Sequence, residues 1–224
     1  MKDMDKAVER LNAAIFSGEK IMIYGDYDVD GTTAVALMSS YLKTLTPHVA
    51  TYIPDRYAEG YGISYQGIDY ADDNDCSLII ALDCGIKSID HVAYAAARNI
   101  DFIICDHHLP GNELPEALAI LDPKQDDCPY PYKELSGAGI GFKLIQAWSQ
   151  LHNIAPEICY GYLDLVATSI AADIVPITGE NRVLTTFGLE RINKQPRPGI
   201  NALLALNQSK NAVTVHTLVF VLGP

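Results

Sequence analysis

Short apolar runs alternate with amphipathic stretches through the first half of the chain, and this alternation predicts strands and helices in turn. Val8, Leu11, Ala14 and Ile15 recur at helical spacing until Ser17 and Gly18 interrupt them, so a helix precedes the first strand, KIMIY over 20–24. An acidic loop with Asp26, Asp28 and Asp30 follows, then a helix over 32–45 with apolar positions Val35, Met38, Leu42 and Leu45. VATYIP over 49–54 reads as the next strand, and the turn EGYG over 59–62 leads into another helix. SLIIALDCG has the continuous apolar character of a strand buried on both faces. A helix over 89–98 and the strands DFIICDHH and ALAILD, the latter ending at Asp122, complete the series.

Strands alternating with helices build βαβ units, so the expected fold class is α/β, a mainly parallel sheet flanked by helices. Beyond Pro131 the period changes, and a mostly helical second half is expected. GIGFKLIQAWSQL opens behind Gly137-Ala138-Gly139, and YLDLVATSIAADIV carries Leu163, Val166, Ile170 and Ile174 on one face. QPRPG over 195–199 is a break, NALLAL a short helical stretch, and VHTLVFVLGP reads as a buried strand running into Gly223-Pro224. On this reading 1–224 is one domain cut from a longer protein, with an α/β part over about 18–125 and a helix-rich part over about 133–224.

Composition narrows the function classes. The 224 residues are 49% hydrophobic, enough for a substantial core, and the 16 Gly and 12 Pro are spread as punctuation, which excludes a disordered or low-complexity chain. No apolar run approaches the ~20 residues of a membrane helix, and the charged start MKDMDKAVER lacks the apolar segment of a signal peptide. A cytoplasmic protein with no membrane partner is expected. Cys76, Cys84, Cys105, Cys128 and Cys159 are odd in number and never spaced C-x-x-C, which speaks against structural zinc and a disulfide framework. A formal charge of −12 with 16 Lys and Arg argues against a non-specific nucleic-acid binder. Nucleic acid as a substrate stays open, because cations can neutralise clustered acids.

Candidate chemistry collects where strands end, the edge at which open α/β sheets bind ligands. KIMIYG runs into Asp26, Asp28 and Asp30, SLIIAL into Asp83, and DFIIC into Asp106, His107 and His108. Carboxylates this close raise one another's pKa unless a cation sits among them, and two divalent metals sharing a carboxylate would form a hydrolytic site. Imidazole among the ligands favours Mn²⁺ and leaves Mg²⁺ possible. The opening Asp26-x-Asp28-x-Asp30-Gly31 is also that of a calcium loop, but its twelfth position is Leu37 and a strand precedes it where a helix belongs. Asp122 alone reads as a turn or cap residue, and Cys84 and Cys105 as small buried hydrophobes. Gly137, Ala138 and Gly139 open a helix whose free N–H groups suit a phosphate, although a short glycine run there also serves as plain loop geometry. Arg56 is either a solvated cation or a phosphate clamp.

GDYDVDG over 25–31, ALDCG over 81–85 and CDHHLPG over 105–111 together resemble the DHH phosphoesterase superfamily. YIPDRYAEGYG over 52–62, LSGAGIGFKL over 135–144 and ATSIAADIVPI over 167–177 resemble its RecJ-type single-strand-specific exonuclease branch. The resemblance implies a DHH catalytic domain with two metals held by Asp28, Asp30, Asp83, His107 and Asp173, Asp83 bridging and Asp26 contributing, and with His108 facing the scissile phosphate. Other branches have a histidine where Tyr24 stands, which puts the hold on one metal in question. The family's DHHA1 domain and OB-type nucleic-acid domain are not visible in the sequence.

The implied activity is a 5′ to 3′ exonuclease on single-stranded DNA in recombination and repair, catalysed by Asp83, His107 and His108. Substrate contacts would come from His108, Arg56 and Gly137-Ala138-Gly139. Repair partners such as a helicase or a single-strand-binding protein are implied by the same resemblance. Two alternatives stay open: a phosphoesterase for short oligonucleotides, cyclic dinucleotides or other small phosphorylated compounds, and a catalytically silent binding module.

Overall fold

The computed structural model describes residues 1–207 and 212–224. Its centre is a five-stranded, all-parallel sheet in the order β2-β1-β3-β4-β5, with β1 Lys20–Gly25, β2 Val49–Tyr52, β3 Cys76–Leu82, β4 Asp101–Cys105 and β5 Ala119–Leu121. Side chains alternate across a strand, so each strand feeds two cores. Ile21, Ile23, Leu78, Ile80, Leu82, Ile103 and Leu121 face one side, and Met22, Tyr24, Ile79, Ala81, Phe102, Ile104 and Ile120 the other. That double burial is why the central strands read as unbroken apolar runs.

The first core is covered by α1 Met4–Ser17, α2 Val29–Leu42, α5 Gly137–Leu151 and α7 Leu163–Ala172. The second lies under α3 Tyr65–Asp73 and α4 Ile89–Ala96. The chain continues through α6 Pro156–Tyr160, α8 Gly179–Lys194 and α9 Pro198–Leu206. A third, small core joins Ala167 and Ala171 of α7 to Ile192, Ile200, Leu204, Val213 and Leu218. No helix among the described residues is long and apolar enough to cross a membrane.

Three expectations are corrected. The helix expected over 32–45 starts earlier, at Val29, because the Asp28 carboxylate accepts the Gly31 N–H at 2.9 Å and caps it. The apolar run expected as a final strand is a short helix, α10 Val215–Thr217, continued by a π-helical turn, Leu218–Leu222. A short apolar run does not distinguish the two periods, and here Thr214 caps the helical start while Leu218 fills the third core. Ile174, expected on the buried face of α7, is 80% exposed, because the helix ends at Ala172 and the backbone turns to a positive φ of 59° at Ile174.

An ion pair between a buried acid and a half-buried arginine ties two of the helices. Asp164, in the first turn of α7, takes Nε and a terminal nitrogen of Arg197, both at 2.6 Å, and Arg197 is the residue that caps α9. Removing the carboxylate takes both of these hydrogen bonds from Arg197, whose head stays partly solvated, at a cost of about 2–3 kcal/mol. Asp164→Ala is therefore expected to lower unfolding free energy by about that much, read by chemical denaturation.

Candidate metal centre

The chain leaves β1 toward β2 on one side and returns to β3 on the other, so the crevice beyond the carboxyl ends of β1 and β3 is the topological switch point of the sheet. Asp26, Asp28 and Asp30 follow β1, and Asp83 follows β3. Asp106, His107 and His108 follow β4 next door, and Asp173 arrives from the C-terminus of α7.

Asp30 is held most firmly. One carboxylate oxygen accepts the Gly137 N–H at 2.6 Å, and the other accepts the Ala138 N–H and the Ser169 hydroxyl, both at 2.8 Å. Burial pushes its pKa up, while these donors and His107 pull it down. The expected phosphate-binding role of Gly137-Ala138-Gly139 is corrected by these bonds. The Gly137 and Ala138 N–H groups at the start of α5 are already taken by the Asp30 carboxyl group, and the Gly139 N–H bonds to Ser136. A side chain at Gly137 would bring a Cβ within 2.6 Å of the Cβ of Asp83, so the glycine there permits close approach to Asp83.

Asp83 is the opposite case. It is 1% exposed, and neither carboxylate oxygen has a hydrogen-bond partner among the described residues. Its backbone sits at φ 61°, a left-handed conformation at a strand end, while its N–H bonds to the Cys105 carbonyl at 2.9 Å. Burial first, then Asp30, Asp28 and Asp106, push its pKa up to about 12. His107, 6% exposed, turns Nε2 toward Asp83 at 3.1 Å, Asp173 at 3.5 Å and Asp30 at 3.8 Å. Burial lowers its pKa, favouring the neutral imidazole that a metal requires. Asp173 is pushed up to about 7 by burial and by Asp30 and Asp28.

His108 is built differently. Its Nδ1 lies 2.7 Å from Asp106, which raises its pKa, and its Nε2 lies 3.2 Å from the Tyr61 hydroxyl. Asp106 also accepts the N–H groups of Ile86, His107 and His108. Burial acts to raise the Asp106 pKa, yet the His108 bond and these donors hold it below the ordinary carboxylate value. Neither Asp106 nor Tyr61 was given a role by the sequence. The strand-end position was a signal for Asp106, whereas Tyr61 lay within the family-like segment 52–62 with no role of its own; its phenol is pushed up by burial and by Asp83 and Asp26.

The remaining candidates are less central. Asp26 is fully buried with one oxygen unpartnered, and Asp28 is exposed and caps α2. Arg56 stacks over the Tyr27 ring at 5.3 Å, and Tyr27 meets Tyr61 edge to face at 6.0 Å, so the cation stands beside the His108 side of the site. Tyr24 is a core aromatic whose hydroxyl donates to the Gly62 carbonyl at 2.9 Å. Asp122 accepts the Lys124 N–H, as a turn residue does.

The DHH family model, N-terminal domain, matches residues 20–170. The chain belongs to the DHH family. It is 44% identical over 225 residues to the single-stranded-DNA-specific exonuclease RecJ of Bacillus subtilis (strain 168), covering all of this chain and 28% of that protein. Against RecJ of Escherichia coli (strain K12) it is 38% identical over 236 residues, covering all of this chain and 41% of that protein. This DHH chain thus spans well under half the length of these curated relatives. A crystal structure of exonuclease RecJ bound to manganese superposes with a TM-score of 0.89 at 28% identity, over all of this chain and 56% of that one. RecJ of Thermus thermophilus in complex with Mg²⁺ superposes at 0.70 and 25% identity, over all of this chain and 28% of that one.

The DHH residues fit cations. Ligand atoms of Asp83, His107 and His108 lie within 4.8 Å of one another, as do those of Asp30, His107 and Asp173, so the two groups share His107. The unpartnered atoms of Asp83 and His107 are what such ions would satisfy. Without a cation, folding disfavours ionised Asp83, so its contribution to stability is complete below the unfolded pKa of ~3.9 and is lost as pH rises toward about 12. In chelator, Asp83→Asn is expected to raise Tm at pH 8, with the difference from wild type shrinking toward pH 4. Asp106→Asn, which weakens the orientation of His108, is expected to lower turnover or metal affinity about 10–100-fold, measured by steady-state kinetics and metal titration.

Proposed function

We propose that this chain is the catalytic core of a two-metal phosphodiesterase that releases nucleotides from the 5′ end of single-stranded DNA, in recombination and repair. One observation carries the reading: at the switch point of the sheet Asp30, Asp83 and Asp173 each place a carboxylate oxygen within 3.8 Å of His107 Nε2, and the buried atoms of Asp83 and His107 lack hydrogen-bond partners among the described residues. The names of the similar proteins support the substrate, and the manganese and magnesium in the similar structures support the cofactor. Asp30, Asp83, His107 and Asp173 would hold the ions, with Asp26 and Asp28 beside them. Imidazole ligation favours Mn²⁺. Bound divalent cations would lower the pKa of water and neutralise phosphoryl oxygens.

The chain's own residues supply the rest. Asp106 orients His108 and favours its cationic form, which suits Nε2 to the charge developing on a phosphate. Arg56, steadied on Tyr27, adds a second cation on that side. Cytoplasmic location, and partners such as a helicase or a single-strand-binding protein, belong to the same proposal by resemblance.

The test is Mn²⁺-dependent hydrolysis of a 5′-phosphorylated single strand, its duplex, a dinucleotide and pyrophosphate, with Asp83→Ala as control. Mononucleotides from the single strand are expected. Asp83→Ala is expected to lose activity by more than about 100-fold, beyond the usual effect of an outer partner, with far-UV circular dichroism unchanged. Full turnover in that variant would overturn the metal assignment, and turnover of the small substrates alone would replace the exonuclease reading with that of a small-phosphoester hydrolase.

A further inference from the structure

Two exposed aliphatic residues adjoin the centre along the chain. Ile174 follows Asp173 directly and is 80% exposed, and Leu109 follows His108 directly and is 69% exposed. Each is chain-adjacent to a group with a ligand atom in the cluster, while the carboxylates of Asp30 and Asp83 lie buried beneath. Ile174 is the more telling of the pair. A β-branched residue at φ 59° is a conformational outlier, in a position after a helix end where glycine or asparagine is the ordinary choice. At 80% exposure, burial of its side chain does little to offset that strain.

We propose that Ile174 is a specificity-determining residue that lays its side chain against the base of the 5′-terminal nucleotide, whose 3′ oxygen is linked to the scissile phosphate. The αL turn directs the chain sharply after Asp173, so one short segment carries a candidate metal ligand and, on the next residue, an apolar contact. A site whose buried groups are carboxylates and imidazoles recognises phosphate alone. An adjoining apolar surface is what distinguishes a nucleotide from inorganic phosphate or a sugar phosphate. Leu109, beside His108 in the chain, is a second exposed aliphatic residue next to a cluster group. The inference rests on the phosphodiesterase reading and deepens it by naming the part of the substrate that is sensed beyond the phosphate.

The experiment compares wild type, Ile174→Asn and Ile174→Val on two 5′-phosphorylated single strands, one normal and one abasic at the terminal nucleotide. Binding is read by fluorescence anisotropy on phosphorothioate-linked strands with Mn²⁺, and cleavage as kcat/KM on the natural linkage. Wild type is expected to prefer the base-bearing strand about tenfold in both, within the range of a single base contact. Ile174→Val, which keeps the branched side chain, should retain that preference. Ile174→Asn should lose it while Tm rises by about 2–4 °C, because asparagine accepts the left-handed turn. A higher Tm with the preference intact would make Ile174 a helix stop and overturn the proposal, as would a wild type that binds both strands alike or neither. Cleavage without base preference removes the role of Ile174 and leaves the phosphodiesterase reading standing. Base-dependent binding without nucleotide release does the reverse.

Discussion

The geometry of the centre depends on one buried carboxylate meeting one helix end. Asp30 sits in the first turn of α2 and takes two N–H groups from the start of α5 and a hydroxyl from α7. An ionised group removed from water costs several kcal/mol unless its lone pairs are matched, and hydrogen bonds to a charged group each return about 1.5–3 kcal/mol. The positive end of the α5 dipole adds to that compensation. The three donors come from chain segments more than one hundred residues away, so satisfying Asp30 fixes α5 and α7 against the sheet edge. That fixed placement sets Asp173, four residues beyond Ser169, opposite His107.

The acids around this anchor divide into two kinds. Asp30 and Asp106 are buried and matched by donors, and they act as supports, one for the helices and one for His108. Asp83 is equally buried and unmatched, in a left-handed backbone conformation with Gly137 packed against it. Asp83 is the one acid of the crevice with both buried oxygens unmatched among the described residues, and Asp26 beside it has one. Such local conflict, in a structure consistent elsewhere, is the physical mark of a site shaped for something that binds there.

Much of this was legible in the sequence because it rests on short-range signals. Continuous apolar runs mark the buried strands, and the acids and histidines just past them, Asp30, Asp83 and His107, come together because strand ends in a parallel sheet converge on one edge. What escaped depends on contacts between distant segments. Gly137-Ala138-Gly139 stood open between a phosphate site and plain loop geometry, because nothing local shows that Asp30 reaches its N–H groups. Tyr61 lies 47 residues from His108, in a turn whose glycines announce only a change of direction. Ile174 fitted the helical period of α7 and left its face only because the helix stops two residues earlier.

The strong negative charge of the chain is compatible with an anionic substrate because the decisive charges are local. Surface charges more than ~8 Å apart are largely screened at physiological salt, so a formal −12 spread over the molecule weighs less than the few groups lining the crevice. Of the acids in that crevice, Asp30 is already matched by backbone donors, and Asp83 and Asp173 have pKa values raised far enough to resist ionisation in the absence of a cation. Cations entering the cluster would reverse that preference, drawing the carboxylates into their ionised form as ligands and turning the site from repulsive to attractive for phosphate. The opposite bias on the two histidines follows the same logic. Burial lowers the pKa of His107 among the acids, where a metal would compete for its nitrogen, and the Asp106 hydrogen bond raises that of His108, where a phosphate would meet it. Adjacent residues of one motif thereby serve two charge states, and Asp106 is the group that separates them.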